Sequence, residues 1–291
     1  MVYSDSLKGY VFVFLAAFFW ANIAILGRIL FKAGMSPYEV VFWRALLACL
    51  IVGAYLYLSK KGFLRGIKKG DFFYLALLGS IGVGFNYLGF IASIKYIKIA
   101  TALLILYTFP SLVVVLGRIF LGERITRVKL LSLFLSMIGL VIILGGDIVF
   151  SPEGYFWALI SAIGNASYAL IGRKFSGKIE SLKTLFWGFL FGAIFLFVVL
   201  LIAEGKVRIP TEAEFGYLLI LSFFCTFLPY MFFLFSFKYL EAGKASIGAL
   251  SEIPMTTFLA FLFFSEKLSL SHFLSGGLIV FSILLLIKRG G

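Results

Sequence analysis

The chain has 291 residues, of which 62% are hydrophobic, 19% aromatic and only 13% charged, well above the roughly 45–50% apolar content of soluble domains. A net charge of +13 would suit a nucleic-acid partner, but the basic residues punctuate apolar runs instead of collecting on one polar surface. That excludes nucleic acid and leaves a membrane protein. With two cysteines inside apolar runs and one histidine, neither a disulfide framework nor a metal centre nor a cofactor is expected.

Apolar runs of about 20 residues, the length that crosses a bilayer, recur along the chain. In order they are 9–31, 38–58, 72–94, 101–121, 128–145, 154–174, 184–203, 215–237, 245–264 and 270–287. The first is long enough to span and ends in no small-residue cleavage site, so it reads as a helix and not as a cleaved leader. The connections carry turn formers and charges, as in Lys32-Ala33-Gly34-Met35-Ser36-Pro37 and from Lys60 to Asp71. None holds a soluble domain. The expected fold is an all-α membrane protein of ten transmembrane helices.

Loops rich in lysine and arginine stay on the cytoplasmic side. Placing the N-terminus there gives that side seventeen such residues, among them Lys60, Lys61, Arg65, Lys68, Lys69, Arg173, Lys174, Lys178 and Lys183. The other side receives six: Lys32, Lys95, Lys98, Lys206, Arg208 and Lys267. Both termini are therefore expected in the cytoplasm, with the chain in the plasma or inner membrane. Arg28, Arg44 and Arg118 lie within spans but near their ends, where snorkelling to the headgroups is the default reading. An anionic substrate at the outer mouth is the alternative for Arg44.

Local features also return after half the chain. Gly27-Arg28 recurs as Gly172-Arg173, Phe42-Trp43 as Phe186-Trp187, Lys95-Tyr96 as Lys238-Tyr239, Pro110 as Pro254 and Glu123 as Glu266, at offsets of 143 to 145. The chain therefore reads as two five-span units, residues 1–146 and 147–291. Because five is odd, the second unit enters the membrane from the opposite side. Inverted repeats of this kind build many secondary transporters, with the substrate at the repeat interface near the midplane.

Leu106-Tyr107-Thr108-Phe109-Pro110 followed by Leu121-Gly122-Glu123-Arg124-Ile125, the matching Leu250-Ser251-Glu252-Ile253-Pro254 and Phe264-Ser265-Glu266-Lys267-Leu268, and Phe42-Trp43-Arg44 together resemble the drug/metabolite transporter superfamily. The likeness is to its ten-span members with two EamA-type halves. Ser265 departs from the glycine more usual there. The resemblance implies a central cavity lined by spans 1, 3, 4, 6, 8 and 9, with spans 5 and 10 outside it. It also implies movement of small metabolites without ATP hydrolysis. It does not name the substrate.

Read on their own, the polar groups at mid-depth are Trp20 and Asn22, Asn86 and Tyr87, Tyr107 and Thr108, Asn165 and Tyr168, Thr226 and Tyr230, and Ser251 and Glu252. Such groups find no partner in lipid, so they should converge on one another or on water. The plainer alternative is hydrogen bonding that only holds the bundle together. Pro110 and Pro254 remove a helical amide and displace the carbonyl four residues earlier, which makes each a candidate hinge. Glu123 and Glu266 stand at span ends beside helix starts, where a carboxylate accepts orphan amides. Glu252 is the one acidic residue deep inside a span, and its charge must be paired, hydrated or neutralised.

The expected function is a secondary transporter of small organic metabolites, amino-acid-like or otherwise amphipathic, working by alternating access. The second reading is a membrane-embedded lipid-handling protein or enzyme. Catalysis would need a nucleophile–base pair or metal ligands, and the sequence offers neither. The expected partners are a small-molecule substrate and the lipid bilayer, with a homodimer left open.

Overall fold

The computed structural model describes residues 2–144, 151–264 and 268–289. Ten helices in it are long and apolar enough to cross a membrane. They are α1 (Asp5–Lys32), α2 (Pro37–Leu58), α3 (Asp71–Ser93), α4 (Ile99–Leu121), α5 (Arg127–Leu144), α6 (Pro152–Phe175), α7 (Ser181–Glu204), α8 (Glu212–Ser236), α9 (Ala242–Phe263) and α10 (Leu270–Arg289). The face where α1 begins is called the near face below and the opposite one the far face.

The repeat seen in the sequence is a repeat of structure, and the two five-helix units are inverted. The pairings follow a two-fold rule: α2 packs on α7 and α5 on α10, while α3 against α6 is matched by α8 against α1. Hydrogen bonds obey it too. The Trp43 indole on α2 donates to the Arg208 carbonyl at 3.2 Å, and the Trp187 indole on α7 donates to the Phe63 carbonyl at 3.2 Å. Ser136 of α5 and Ser282 of α10 meet at 2.5 Å. A hydroxyl facing hydrocarbon would be left unpaired, so this bond fixes the α5–α10 seam. These two helices are the least buried, at 28% each, and stand outside the bundle.

Contact between the halves depends on glycine. A Cβ at Gly89 of α3 would lie 2.6 Å from the Trp157 carbonyl of α6, and one at Gly164 of α6 would lie 2.6 Å from the Asn86 amide. Only hydrogen fits there, so the two backbones touch directly.

The helices that surround the centre are irregular at mid-depth. α1 is interrupted at Ala21–Asn22, α4 at Tyr107–Thr108 and α9 at Leu250–Ser251. α3 widens into a π-helical stretch at Leu78–Phe85, and α8 does the same at Phe223–Phe227. These two stretches lie 145 residues apart, so the irregularity is itself repeated. A π-helical turn shifts the hydrogen-bond ladder and presents backbone groups sideways.

Candidate functional site

α8 shows what that shift does. Within its π-helical stretch the Thr226 hydroxyl donates back to the Leu221 carbonyl at 3.1 Å, and the Cys225 carbonyl is turned toward α2. Arg44 of α2 takes up both groups. Its Nε donates to Thr226 at 3.1 Å and a terminal nitrogen donates to the Cys225 carbonyl at 3.5 Å. Its guanidinium lies over the Tyr87 ring of α3, 4.3 Å from the centroid, a favourable placement for a cation on a π face. Arg44 is only 6% exposed. The snorkelling reading of this residue is therefore corrected: Arg44 points into the bundle, because the α8 carbonyl and hydroxyl hold it there.

Next to it is an aromatic cluster centred on Tyr230. Tyr168 meets Tyr230 edge-on at 4.8 Å between centroids, Trp20 at 5.3 Å and Phe189 at 5.6 Å. Four helices, α1, α6, α7 and α8, thus contribute to one knot of rings, each pair in the edge-to-face geometry that rings prefer. The Tyr168 hydroxyl is buried without a hydrogen-bond partner, and the Tyr87 hydroxyl lies beside that of Tyr230. Buried polar atoms are normally satisfied, so such a hydroxyl is open to a water or a ligand.

Glu252 opens the second segment of α9, half-buried, with the Tyr107 hydroxyl of α4 near its carboxylate. It lies within electrostatic reach of Arg44. Ser251 beside it is buried with its hydroxyl unpartnered. It lines a cleft of about 310 Å³ beside Pro254, whose walls include Phe14 of α1 and Ile283 of α10. The rim residues Phe258, Val280 and Leu284 are exposed on the outside of the bundle.

The remaining expected residues are placed differently. Asn22 donates to the Phe18 carbonyl at 2.7 Å and Thr108 to the Ile105 carbonyl at 2.7 Å, so both serve their own helix breaks. Asn86 accepts from Ser161 of α6 at its carbonyl (2.8 Å) and side chain (3.0 Å), which ties α3 to α6. Asn165 is half-buried on α6. Pro110 and Pro254 both follow a helix break by two to three residues. The carbonyl of Leu250 does not stay free after the loss of its usual partner, because the Ile253 amide takes it at 3.1 Å.

Glu123 caps a helix, but one from the other repeat. Its two oxygens accept the amides of Ala242 (2.6 Å) and Gly243 (3.1 Å) at the start of α9. Lys129 lies 3.9 Å away, is 1% exposed, and bonds Glu241 at 2.8 Å; Arg173 of α6 stands 3.9 Å from Glu123 on another side. Arg173 also donates to the Phe237 carbonyl just after α8. Four helices are thereby tied together on the near face. Glu266, its expected counterpart, lies outside the described residues.

Both halves of the chain, residues 7–145 and 152–288, match the model of the EamA-like transporter family. The chain belongs to that family. It is 26% identical over 284 residues to an uncharacterized transporter of Clostridium kluyveri, covering 91% of this chain and 88% of the relative. It is 24% identical to one of Archaeoglobus fulgidus, over 97% and 100% of the two chains, and 28% identical to the uncharacterized transporter YyaM of Bacillus subtilis, over 73% and 72%. A solved crystal structure with 17% identity superposes over 98% of this chain and 96% of its own, with a TM-score of 0.82, which shows a shared fold. This EamA-like chain is a transporter and not an enzyme. Among its described residues no group of three His, Cys, Asp or Glu side chains could hold a metal ion.

Proposed function

We propose that this chain is a secondary transporter that carries small amphipathic organic metabolites by alternating access. The substrate would sit among Trp20, Tyr87, Tyr107, Tyr168, Tyr230 and Glu252. The observation that carries the reading is the convergence of buried tyrosines, among them Tyr168 with an unpartnered hydroxyl, and two charged side chains, drawn from both repeats. The centre is closed around its rings, with Tyr168 1% and Tyr230 4% exposed, so a solute can enter only when helices move apart. The breaks in α1, α4 and α9 supply points about which they can bend. We further infer that the near face is cytoplasmic, from the charge bias of its loops, and that the membrane is the plasma or inner membrane.

The test is an uptake and efflux screen of the purified protein in liposomes, with and without a pH gradient. Tyr107→Ala and Tyr168→Ala should each lower flux of an identified solute by roughly tenfold or more while the protein stays folded, the scale expected for loss of one well-placed binding group. Wild-type flux in both variants would remove the site from this location. A lipid-handling function is the second reading, favoured by the cleft beside Pro254 with its rim on the outside of the bundle. It predicts movement of fluorescent phospholipid between leaflets in the same liposomes without any added solute.

A further inference from the structure

The loop between α2 and α3, residues 59–70, carries Lys60, Lys61, Arg65, Lys68 and Lys69 at the near face. Its backbone is fastened inward. The Trp187 indole of α7 holds the Phe63 carbonyl at 3.2 Å, and the buried Lys183 ammonium of α7 holds the Arg65 carbonyl at 2.7 Å. Gly62 and Gly66, with φ of 65° and 87°, supply the left-handed turns on either side of that pair. The charges turn the other way. Lys60, Arg65, Lys68 and Lys69 are exposed and have no side-chain partner among the described residues. Two acids adjoin the loop and are engaged: Glu180 pairs with Lys61 at 2.5 Å, and Asp71 accepts the Lys68 amide at 2.9 Å.

The loop in the matching place on the far face, residues 205–211, is built differently. Its Arg208 carbonyl takes the Trp43 indole as Phe63 takes Trp187, but the Arg208 guanidinium is met by Glu214 at 2.6 Å and Glu39 at 3.8 Å, both buried. The arginine charge is neutralised by protein on one face and left open on the other.

Arg65 also stands on the wall of a groove of about 580 Å³, with Phe63, Leu64, Phe186, Trp187 and Leu190. Leu64 is 60% exposed there. Past Leu190, exposed Ile194 and Val198 follow at one-turn steps along α7, so the apolar strip runs on from the near face toward mid-membrane. A free phosphate suits the arginine and lysines but not this wall. A hydrocarbon chain suits the wall and leaves the charges unmet. A phospholipid with net negative charge suits both.

We propose that the groove is a site for one anionic phospholipid of the near-face leaflet. Its phosphate is held by Arg65 with the neighbouring lysines of the loop, and one acyl chain lies against Leu64, Trp187 and Leu190. The loop belongs to the first repeat and α7 to the second, so the lipid bridges the two. It is held and not carried, and the site is independent of the solute transported.

Binding is read from the melting temperature of the purified full-length protein in detergent. The probes are phosphatidylglycerol, phosphatidylcholine with the same acyl chains, and two chain-free compounds, glycerol phosphate and inorganic phosphate. Phosphatidylglycerol should saturate at a concentration roughly 30-fold below phosphatidylcholine, the scale of two basic side chains at a membrane surface. The chain-free compounds should not stabilise at those concentrations. Arg65→Gln combined with Lys68→Gln should erase the preference for phosphatidylglycerol. Lys288→Gln combined with Arg289→Gln removes the same charge from the near-face end of α10, which packs on α5, and should leave the preference intact. Leu190→Trp fills the groove without touching a charge and should weaken phosphatidylglycerol by roughly tenfold. Equal binding of the two lipids overturns the proposal, and stabilisation by phosphate or glycerol phosphate alone does the same by showing a site for the headgroup only. An equal loss in the α10 variant reduces the effect to overall surface charge, and wild-type binding in Leu190→Trp removes the groove; either result also overturns it.

Discussion

Asn86 separates two roles that look identical in a sequence. A polar side chain in an apolar run is easy to see, but whether it faces a ligand or a neighbouring helix depends on rotation of the helix by a few tens of degrees. Asn86 faces Ser161. Its replacement by alanine removes one of two acceptors for that hydroxyl, so Asn86→Ala should cost about 1 kcal/mol in stability and lower the melting temperature, while flux per folded molecule stays close to wild type. A collapse of flux at unchanged melting temperature would return Asn86 to the site. Arg44 is the opposite case, a residue of the bundle centre hidden by its position. It stands seven residues into α2, near enough to the membrane surface that its long side chain could reach water. What turns it inward is a carbonyl of α8 released by a π-helical turn, and no local pattern around Arg44 announces that. Phe189 was also invisible, one phenylalanine among thirty-six.

At the scale of helices, apolar run length located all ten spans, with ends shifted by only a few residues. α9 begins at Ala242 and not at 245, because Ala242-Gly243-Lys244 reads as a polar, glycine-containing turn. Its helical start is secured from 119 residues away, by the carboxylate of Glu123. A cap supplied from another repeat cannot be read from neighbouring residues. The same contact predicts its own importance. Glu123→Ala strands two buried amides and leaves Lys129 and Arg173 with less opposing charge, at a cost of about 3–5 kcal/mol, the range for breaking a buried ionic group on one side. The expected result is a large drop in melting temperature with no change in the far-face contacts. Retention of full stability would mean that Glu241 alone suffices to hold Lys129. The π-helical stretches were not foreseen either, since their signal is spread over glycines and aromatics whose meaning is fixed only by the facing helix.

For the molecule as a whole, repeat, inversion and helix count followed from offsets between weak matches, because each unit must solve the same packing problem from the other side of the bilayer. Orientation rests on charge alone, and is tested directly. Cys49 and Cys225 are buried, so a single introduced cysteine reports without interference. Lys61→Cys should react with a membrane-impermeant maleimide only from the cytoplasmic side, and Glu153→Cys only from the other; reaction of both from one side would sink the topology. One feature of the fold reaches further than topology. The two indole–carbonyl bonds lie on opposite faces, Trp43 to the loop before α8 on the far face and Trp187 to the loop before α3 on the near face. Only four tryptophans exist in the chain, so replacing Trp20 and Trp157 with phenylalanine, and then one of the pair, leaves a single fluorophore at either entrance. Indole emission moves when its N–H partner is exchanged for water, which gives each entrance its own optical signal. Opening the far face should shift the emission of Trp43 while Trp187 stays unchanged, and opening the near face should do the reverse; simultaneous shifts in both forms would describe a channel.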